Sequence, residues 1–287
     1  MRKSQPDSSN GLFVTDLDGT LLRADGSVAQ RDLDALGSLA RHGVRTAIAT
    51  GRSLWSFVRS AGATLPVDYV IFTTGAGIVT QPGHGLLHQV NIPLGQVAAT
   101  LEFLKNSELD FMLHHTVPDN HRFVYRRANP DNADFESRLQ RYAEFGQPLD
   151  SIAGSEFGEA AQFLAVVPRH RTDQALQMVR TGLPGLSIVH STSPLDHEST
   201  WIEFFHPAVS KGQTAAWLAS ELGVKPIDTM AIGNDYNDLD LLEWAAHAFV
   251  VANAPDGLKS RFRQVASNND GGVAESVGLW LGDKGLF

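Results

Sequence analysis

Short apolar runs of strand length alternate along this chain with stretches whose apolar residues recur at helical spacing. Residues 11–16 form an apolar run that ends in an acidic string, and residues 32–41 (DLDALGSLAR) carry a helical repeat. Residues 44–50 (VRTAIAT) make a second strand-like run, closed by Gly51; a helix is expected over 53–61 and a third buried strand over 69–73 (YVIFT). Strand, helix, strand, helix, strand is the grammar of a parallel sheet. It returns near the C-terminus, where Ser210 is placed to cap a helix running to residue 222. A strand over 229–232, a helix over 239–246, a strand over 248–251 and a short helix over 255–262 follow. The two ends are expected to share one sheet, giving an α/β fold with a Rossmann-like core.

The middle of the chain breaks that grammar. Helical periodicity covers 93–107, 132–145 and 171–181, whereas 111–115, 161–167, 186–190 and 201–206 read as strands. This predicts an α+β domain inserted over residues 86–206, with linkers near Gly83 to Gly85 and around Pro207. Residues 1–85 and 207–287 then form the core.

Composition narrows the partners. With 287 residues, 43% of them hydrophobic and 19% charged, the chain can build two separate hydrophobic cores. No apolar run is long enough to span a bilayer, and the opening MRKSQPDSSN is too polar for a signal peptide. A cytoplasmic protein, monomeric or homodimeric, is the expectation. A net charge of -9 without a basic cluster argues against nucleic acid and anionic membranes as partners. The absence of cysteine excludes disulfides, thiolate metal sites and cysteine nucleophiles, so any metal must be held by oxygen or imidazole. An anionic substrate would therefore need a bound cation and a few local lysines or arginines.

The sharpest chemical signal is Asp16-Leu17-Asp18-Gly19-Thr20, directly after the first strand. Residues two apart on an extended backbone point the same way, so Asp16 and Asp18 are expected to converge at the carboxyl end of the sheet, where open α/β sheets bind ligands. Adjacent carboxylates raise each other's proton affinity unless a cation lies between them, and a hard cation such as Mg²⁺ suits oxygen ligands. The competing interpretation is an acidic turn, bent at Gly19 and capped by Thr20.

The string resembles the opening motif of the haloacid-dehalogenase superfamily of phosphotransferases, and three further segments extend the resemblance in order. Thr50-Gly51-Arg52 closes the second core strand, Lys211 opens a helix after Glu203, Pro207 and Ser210, and Gly233-Asn234-Asp235-Tyr236-Asn237-Asp238 follows a later strand. The resemblance implies that Asp16 attacks phosphorus and that Asp18 protonates the leaving oxygen and then activates water. It implies that Thr50 and the backbone at Gly51 hold phosphoryl oxygens and that Lys211 neutralises both Asp16 and the transferring group. Thr50 alone would equally serve as a helix cap, and Arg52 as a substrate contact or a solvated side chain. The metal set implied is Asp16, Asp18 through its backbone carbonyl, Asn234, Asp235 and Asp238. Here the chain departs from the usual G-D-x-x-N-D, because Asn234 occupies the place of the first aspartate, which leaves either Asn234 or Asp235 to complete the site. Asn253 is expected to cap a turn.

The inserted domain resembles the large α+β cap of the sugar-phosphatase branch of that superfamily. His114, His115, Asp119, Asn120, His121 and Arg122 cluster after a strand, and His115 and Arg122 are the candidates for touching substrate. Paired histidines also raise a second metal site, although they lack a convincing ligand set; hydrogen-bonded histidines are the commoner case. The implied activity is a Mg²⁺-dependent phosphatase acting on a small phosphorylated metabolite such as a sugar phosphate. A sugar phosphomutase, with Arg122, Arg126 and Arg127 as its extra cations, and a phospho-ligand-binding protein without turnover are the alternatives.

Overall fold

The computed structural model describes residues 9–60, 64–151 and 157–285. The polar start over residues 1–8 and the expected helix end at Ala61 lie outside them. In chain order, the first elements are β1 (Gly11–Asp16), α1 (Gln30–Arg41), β2 (Val44–Ala49), α2 (Leu54–Arg59), β3 (Tyr69–Phe72), β4 (Gly77–Thr80) and β5 (Leu86–Gln89). The middle contributes α3 (Leu94–Lys105), β6 (Asp110–His114), β7 (Phe123–Arg126), α4 (Ala133–Arg141), β8 (Gly146–Pro148), β9 (Gln162–Val167), α5 (Thr172–Gly182), β10 (Ser187–Thr192) and β11 (Thr200–Phe205). The chain closes with α6 (Lys211–Glu221), β12 (Thr229–Gly233), α7 (Leu239–Trp244), β13 (His247–Val251), α8 (Asp256–Lys259), β14 (Arg263–Val265) and α9 (Gly272–Asp283).

Two compact units result, one from residues 1–52, 56–88 and 210–287, the other from 53–55 and 89–209. In the first, eight strands run in the order β14-β13-β12-β1-β2-β3-β4-β5. All pairings from β14 to β3 are parallel, and β4 returns antiparallel to β3. Every residue of β1 is buried, which is why the sequence there is nearly unbroken apolar rather than alternating. Leu12, Val14, Ala47 and Ala231 of the sheet pack with Ala215 and Leu218 of α6 and Leu241 of α7. The chain leaves β1 toward β2 on one side and returns to β12 on the other, so β1 lies at the switch point of the sheet. Its carboxyl end, in register with Ala49 and flanked by Ile232, is where such sheets leave a crevice.

The second unit is a six-stranded sheet in the order β10-β11-β9-β6-β7-β8, antiparallel except between β7 and β8. Alternation along its strands gives each face its own core. Phe111, Leu113, Phe163 and Phe204 pack with residues of α3 and α5, whereas Met112, Phe123, Leu164 and Val166 pack with Phe135 and Leu139 of α4.

The linker expected at Gly83 to Gly85 is instead part of the turn joining β4 to β5, closed by the Thr80 amide donating to the Gly85 carbonyl at 2.9 Å. The exposed Gly83 and Gly85 read as a boundary, but β5 still belongs to the eight-stranded sheet. The helix expected over 255–262 is only the four residues of α8. α9 was not anticipated: its buried Val273, Val277, Trp280 and Leu281 have helical spacing, yet glycines dilute the pattern. Among the described residues no helix is long and apolar enough to cross a membrane.

Candidate active site

The site is assembled at the carboxyl ends of β1, β2, β3 and β12. β1 ends at Asp16, Leu17 is buried as an anchor, and Gly19 takes φ +80°, a conformation that a side chain would strain. The strand ends at Asp16, and the two carboxylates have different partners. Asp16 is 4% exposed, whereas the Asp18 side chain is half exposed and grips Arg52 through two hydrogen bonds, one of them 2.8 Å from Arg52 Nε. Arg52 is therefore an ion-pair partner of Asp18. It is the Asp18 carbonyl, not its carboxylate, that lies beside Asp16 and Asn234.

Lys211 is the first residue of α6, behind Ser210, whose side chain accepts from the Gln213 amide. Gly212 must be glycine, since a Cβ there would lie 2.4 Å from the Asp240 carbonyl oxygen. That close approach lets α6 start deep in the sheet and buries Lys211 completely. Its Nζ donates to Asp16 Oδ1 at 2.7 Å and to Asp238 Oδ1 at 2.6 Å. Burial works to lower the lysine's pKa, but the Coulombic pull of Asp16 and Asp238 outweighs it and holds the ammonium well above its ordinary value. For Asp16, burial and then repulsion from Asp238 exceed the attraction of Lys211, and its pKa is pushed up to about 7. Two carboxylates sharing one lysine leave a buried group with net negative charge, an arrangement that invites a further cation.

Asp238 joins the lysine to the acidic loop: its Oδ1 accepts from Lys211 and its Oδ2 from the Asn234 and Asp235 amides at 2.9 and 3.1 Å. Asp235 caps the short turn over residues 236–238, accepting from the Tyr236 amide at 2.7 Å. The acidic loop thus braces itself through Asp235 and Asp238. Among the described residues no three His, Cys, Asp or Glu side chains converge as metal ligands. The oxygens that do converge are mixed: Asp16 Oδ2, the Asp18 carbonyl and the Asn234 amide, an atom of which lies 3.0 Å from each of the other two. Mg²⁺ holds oxygens at about 2.0–2.1 Å, which places neighbouring octahedral ligands roughly 3.0 Å apart. This donor set fits a hard cation.

Thr50 is buried and its Oγ1 accepts from the Arg52 amide at 3.1 Å, so it does cap the turn into α2 while its hydroxyl hydrogen stays available. Asn253, expected as a turn cap, instead ties two loops together: Nδ2 donates to the Gly19 carbonyl at 2.9 Å and Oδ1 accepts from the Asn268 amide at 3.0 Å. Thr74 escaped the sequence reading. Its amide donates to the Thr50 carbonyl at 3.0 Å, its φ is +55°, Thr73 beside it has φ +52°, and its buried hydroxyl has no partner. Two successive β-branched residues in the left-handed region are rare and cost on the order of 1–3 kcal/mol each. No sequence signal marks such strain.

His115 and Arg122 belong to the second unit, in the β6–β7 connection, where the His115 amide donates to the Arg122 carbonyl at 3.0 Å. Burial, then Arg122, lowers the His115 pKa. His114 is deeper: Nδ1 lies 2.7 Å from the Asn120 carbonyl, and burial pushes its pKa down to about 3.

Comparison with known proteins places this geometry. The haloacid dehalogenase-like hydrolase family matches residues 13–277, and the chain belongs to that family. It is a phosphatase-type hydrolase. It is 25% identical to the phosphatase YwpJ of Bacillus subtilis over 277 residues, covering 90% of this chain and 95% of that protein. It is 24% identical to the 5-amino-6-(5-phospho-D-ribitylamino)uracil phosphatase YwtE of Bacillus subtilis, covering 91% of this chain and 95% of the other. Among solved structures, the phosphatase BT1666 from Bacteroides thetaiotaomicron superposes with a TM-score of 0.78 at 23% identity, over 100% of this chain and 99% of that one.

Proposed function

We propose that this chain is a Mg²⁺-dependent phosphatase that hydrolyses small phosphorylated sugars or polyols through an aspartyl-phosphate formed on Asp16. The observation that carries the reading is the fully buried Lys211 ammonium, 2.7 Å from Asp16 and 2.6 Å from Asp238 at the switch point of the sheet. Bound by Asp16 Oδ2, the Asp18 carbonyl and Asn234, the cation supplies charge neutralisation for the phosphoryl oxygens. Asp16 attacks phosphorus, and the leaving alkoxide takes a proton from Asp18. Water then attacks the aspartyl-phosphate while Asp18 accepts its proton, which releases phosphate and restores the Asp16 carboxylate. Lys211 and the Thr50 hydroxyl stabilise charge on the transferring group, the dominant contribution in phosphoryl transfer. Asp18 must let go of Arg52 to turn toward the leaving oxygen, so that ion pair sets where the acid–base group rests between turnovers.

The substrate class draws on the relative that removes phosphate from a ribityl chain, with His115 and Arg122 as the groups proposed to contact the leaving group. The phosphomutase alternative gains nothing from the structure. Arg126 Nη1 donates to the carbonyls of Leu104, Lys105 and Ser107, and Arg127 pairs with Glu136. Phosphate release from a panel of sugar and polyol phosphates, with Mg²⁺ or with EDTA, tests the proposal. Release that is insensitive to EDTA would remove the cation, and isomerisation without release would favour the mutase.

A further inference from the structure

Asn234 is where this chain departs from the acidic loop it resembles, and its surroundings differ from those of an ordinary turn asparagine. One outer atom of its amide lies 3.0 Å from each of three oxygens: Asp16 Oδ2, the Asp18 carbonyl and Thr20 Oγ1. The other lies against Gly19, where a Cβ would come within 2.7 Å of it. Glycine at position 19 therefore lets the amide press onto the loop that carries the nucleophile.

The two ends of an amide have nearly the same shape and opposite hydrogen-bonding character. With its oxygen inward, Asn234 accepts from the Thr20 hydroxyl but meets Asp16 Oδ2 and the Asp18 carbonyl with no hydrogen between them. An amide oxygen 3.0 Å from two other acceptors is repelled by both unless a cation holds them, and roughly 3.0 Å is the edge of an oxygen octahedron around Mg²⁺. With its nitrogen inward, the amide donates to Asp16 Oδ2 and the Asp18 carbonyl at 3.0 Å, and the same pocket is satisfied by the protein's own hydrogen bonds. The two arrangements differ by a half-turn about a terminal sp³–sp² torsion, which is intrinsically soft and two-fold.

We propose that Asn234 is a reversible stand-in for the metal: nitrogen inward it closes the cation site, and oxygen inward it becomes one of the ligands. An aspartate cannot play both parts, because an ionised carboxylate only accepts. Asn234 thus gives the chain a metal-free state that is internally hydrogen-bonded, together with a weaker hold on the cation than a carboxylate would give. Occupancy then follows the free Mg²⁺ concentration over its working range rather than staying saturated.

This inference rests on the reading of Asp16 and Asp18 as cation ligands and not on turnover. The test uses full-length protein stripped with EDTA and desalted, titrated with MgCl₂ by calorimetry, and melted with and without Mg²⁺. Asn234→Asp is expected to bind Mg²⁺ at least about tenfold more tightly than wild type, equivalent to roughly 1.4 kcal/mol. In EDTA it should melt below wild type, since a third carboxylate replaces a donor. Asn234→Ala should bind Mg²⁺ more weakly than wild type and also melt lower in EDTA. In ¹⁵N-asparagine-labelled wild type, the side-chain amide resonances absent from the Asn234→Ala spectrum should move as Mg²⁺ saturates.

Equal Mg²⁺ affinities and equal EDTA melting temperatures for wild type and Asn234→Asp would overturn the stand-in while leaving the cation reading intact. So would an Asn234 amide signal that ignores Mg²⁺. No Mg²⁺ binding by either protein would overturn both. Tight Mg²⁺ binding without phosphate release would count against the phosphatase reading alone.

Discussion

The two units bury their titratable nitrogen groups in different ways. In the core unit, Lys211 is fully buried as the ammonium between Asp16 and Asp238. In the second unit His114 is buried as the neutral ring, its Nδ1 lying against the Asn120 carbonyl and its Nε2 without a partner. Arg138 keeps its place there by lying 4.3 Å over the Trp201 ring, and burial lowers its pKa. The second unit also buries carboxylates, but these are held by neutral donors: Asp110 accepts from the Ala128 and Asn129 amides and from Asn132, and Asp134 from Ser193 and Trp201. A buried lysine between two carboxylates is a different arrangement, since burying an ion costs several kcal/mol unless it is paired.

The comparison can be broken most directly at the nucleophile. Asp16→Asn should reduce phosphate release by at least about a thousandfold with the fold intact, because an amide cannot attack phosphorus. Equal activity in the variant would remove Asp16 from the chemistry. Lys211→Met should destabilise the core unit by about 3–5 kcal/mol, since two carboxylates would face each other without their shared cation. Mg²⁺ should recover part of that loss in thermal denaturation. A change below about 1 kcal/mol would mean that the pair is solvated and that the contrast with the second unit is false.

In the second unit, pH is the sharper probe. The His114 pKa lies at about 3 in the fold against an ordinary value of 6.5, so the neutral ring favours folding. That stability is fully present above pH 6.5 and is lost as pH falls toward 3, a span worth up to roughly 5 kcal/mol. His114→Asn, which keeps a donor for the Asn120 carbonyl, should flatten the acid limb over that window. An unchanged limb, followed by hydrogen exchange in residues 89–209, would show that His114 is already protonated in the fold.

Helix caps give the smallest contrast. Ser210 makes one capping bond at the start of α6. Asn132 caps α4 and also donates to Asp110 Oδ2 at 2.8 Å and the Val166 carbonyl at 2.9 Å. Asn132→Ala should cost about 2 kcal/mol and Ser210→Ala about 1 kcal/mol. Opening energies from hydrogen exchange in each unit check the order. Equal costs would show that the extra bonds of Asn132 add nothing.

Much of the core was legible because its elements carry local signals. Buried parallel strands read as apolar runs, and Gly51 and Ser210 punctuate strand and helix ends. β7 was missed because Phe123 to Arg126 is four residues long and follows a polar cluster, so nothing in its own composition separates it from a loop. The ion pair of the Asp18 carboxylate with Arg52 was not anticipated, because it joins residues 34 positions apart. Asn253 looked like a turn residue, and only the folding of residues 19 and 268 onto it makes it a tie between loops.

By itself the sequence determined the alternation of strands and helices of a parallel sheet, the place of Asp16 at the end of β1 and the lysine at a helix start, because each depends on neighbours a few residues away. Tertiary structure decided which oxygens of those residues remain available. Lys211 meets Asp16 across 195 positions and fixes Asp238 as its second partner, Arg52 claims the Asp18 carboxylate, and the Asn234 amide comes to the Asp18 carbonyl from the end of the neighbouring strand β12. The physical reason is that a hydrogen bond depends on tenths of an ångström and on direction, and these are set by how β1, β12 and α6 pack rather than by any residue's own preference.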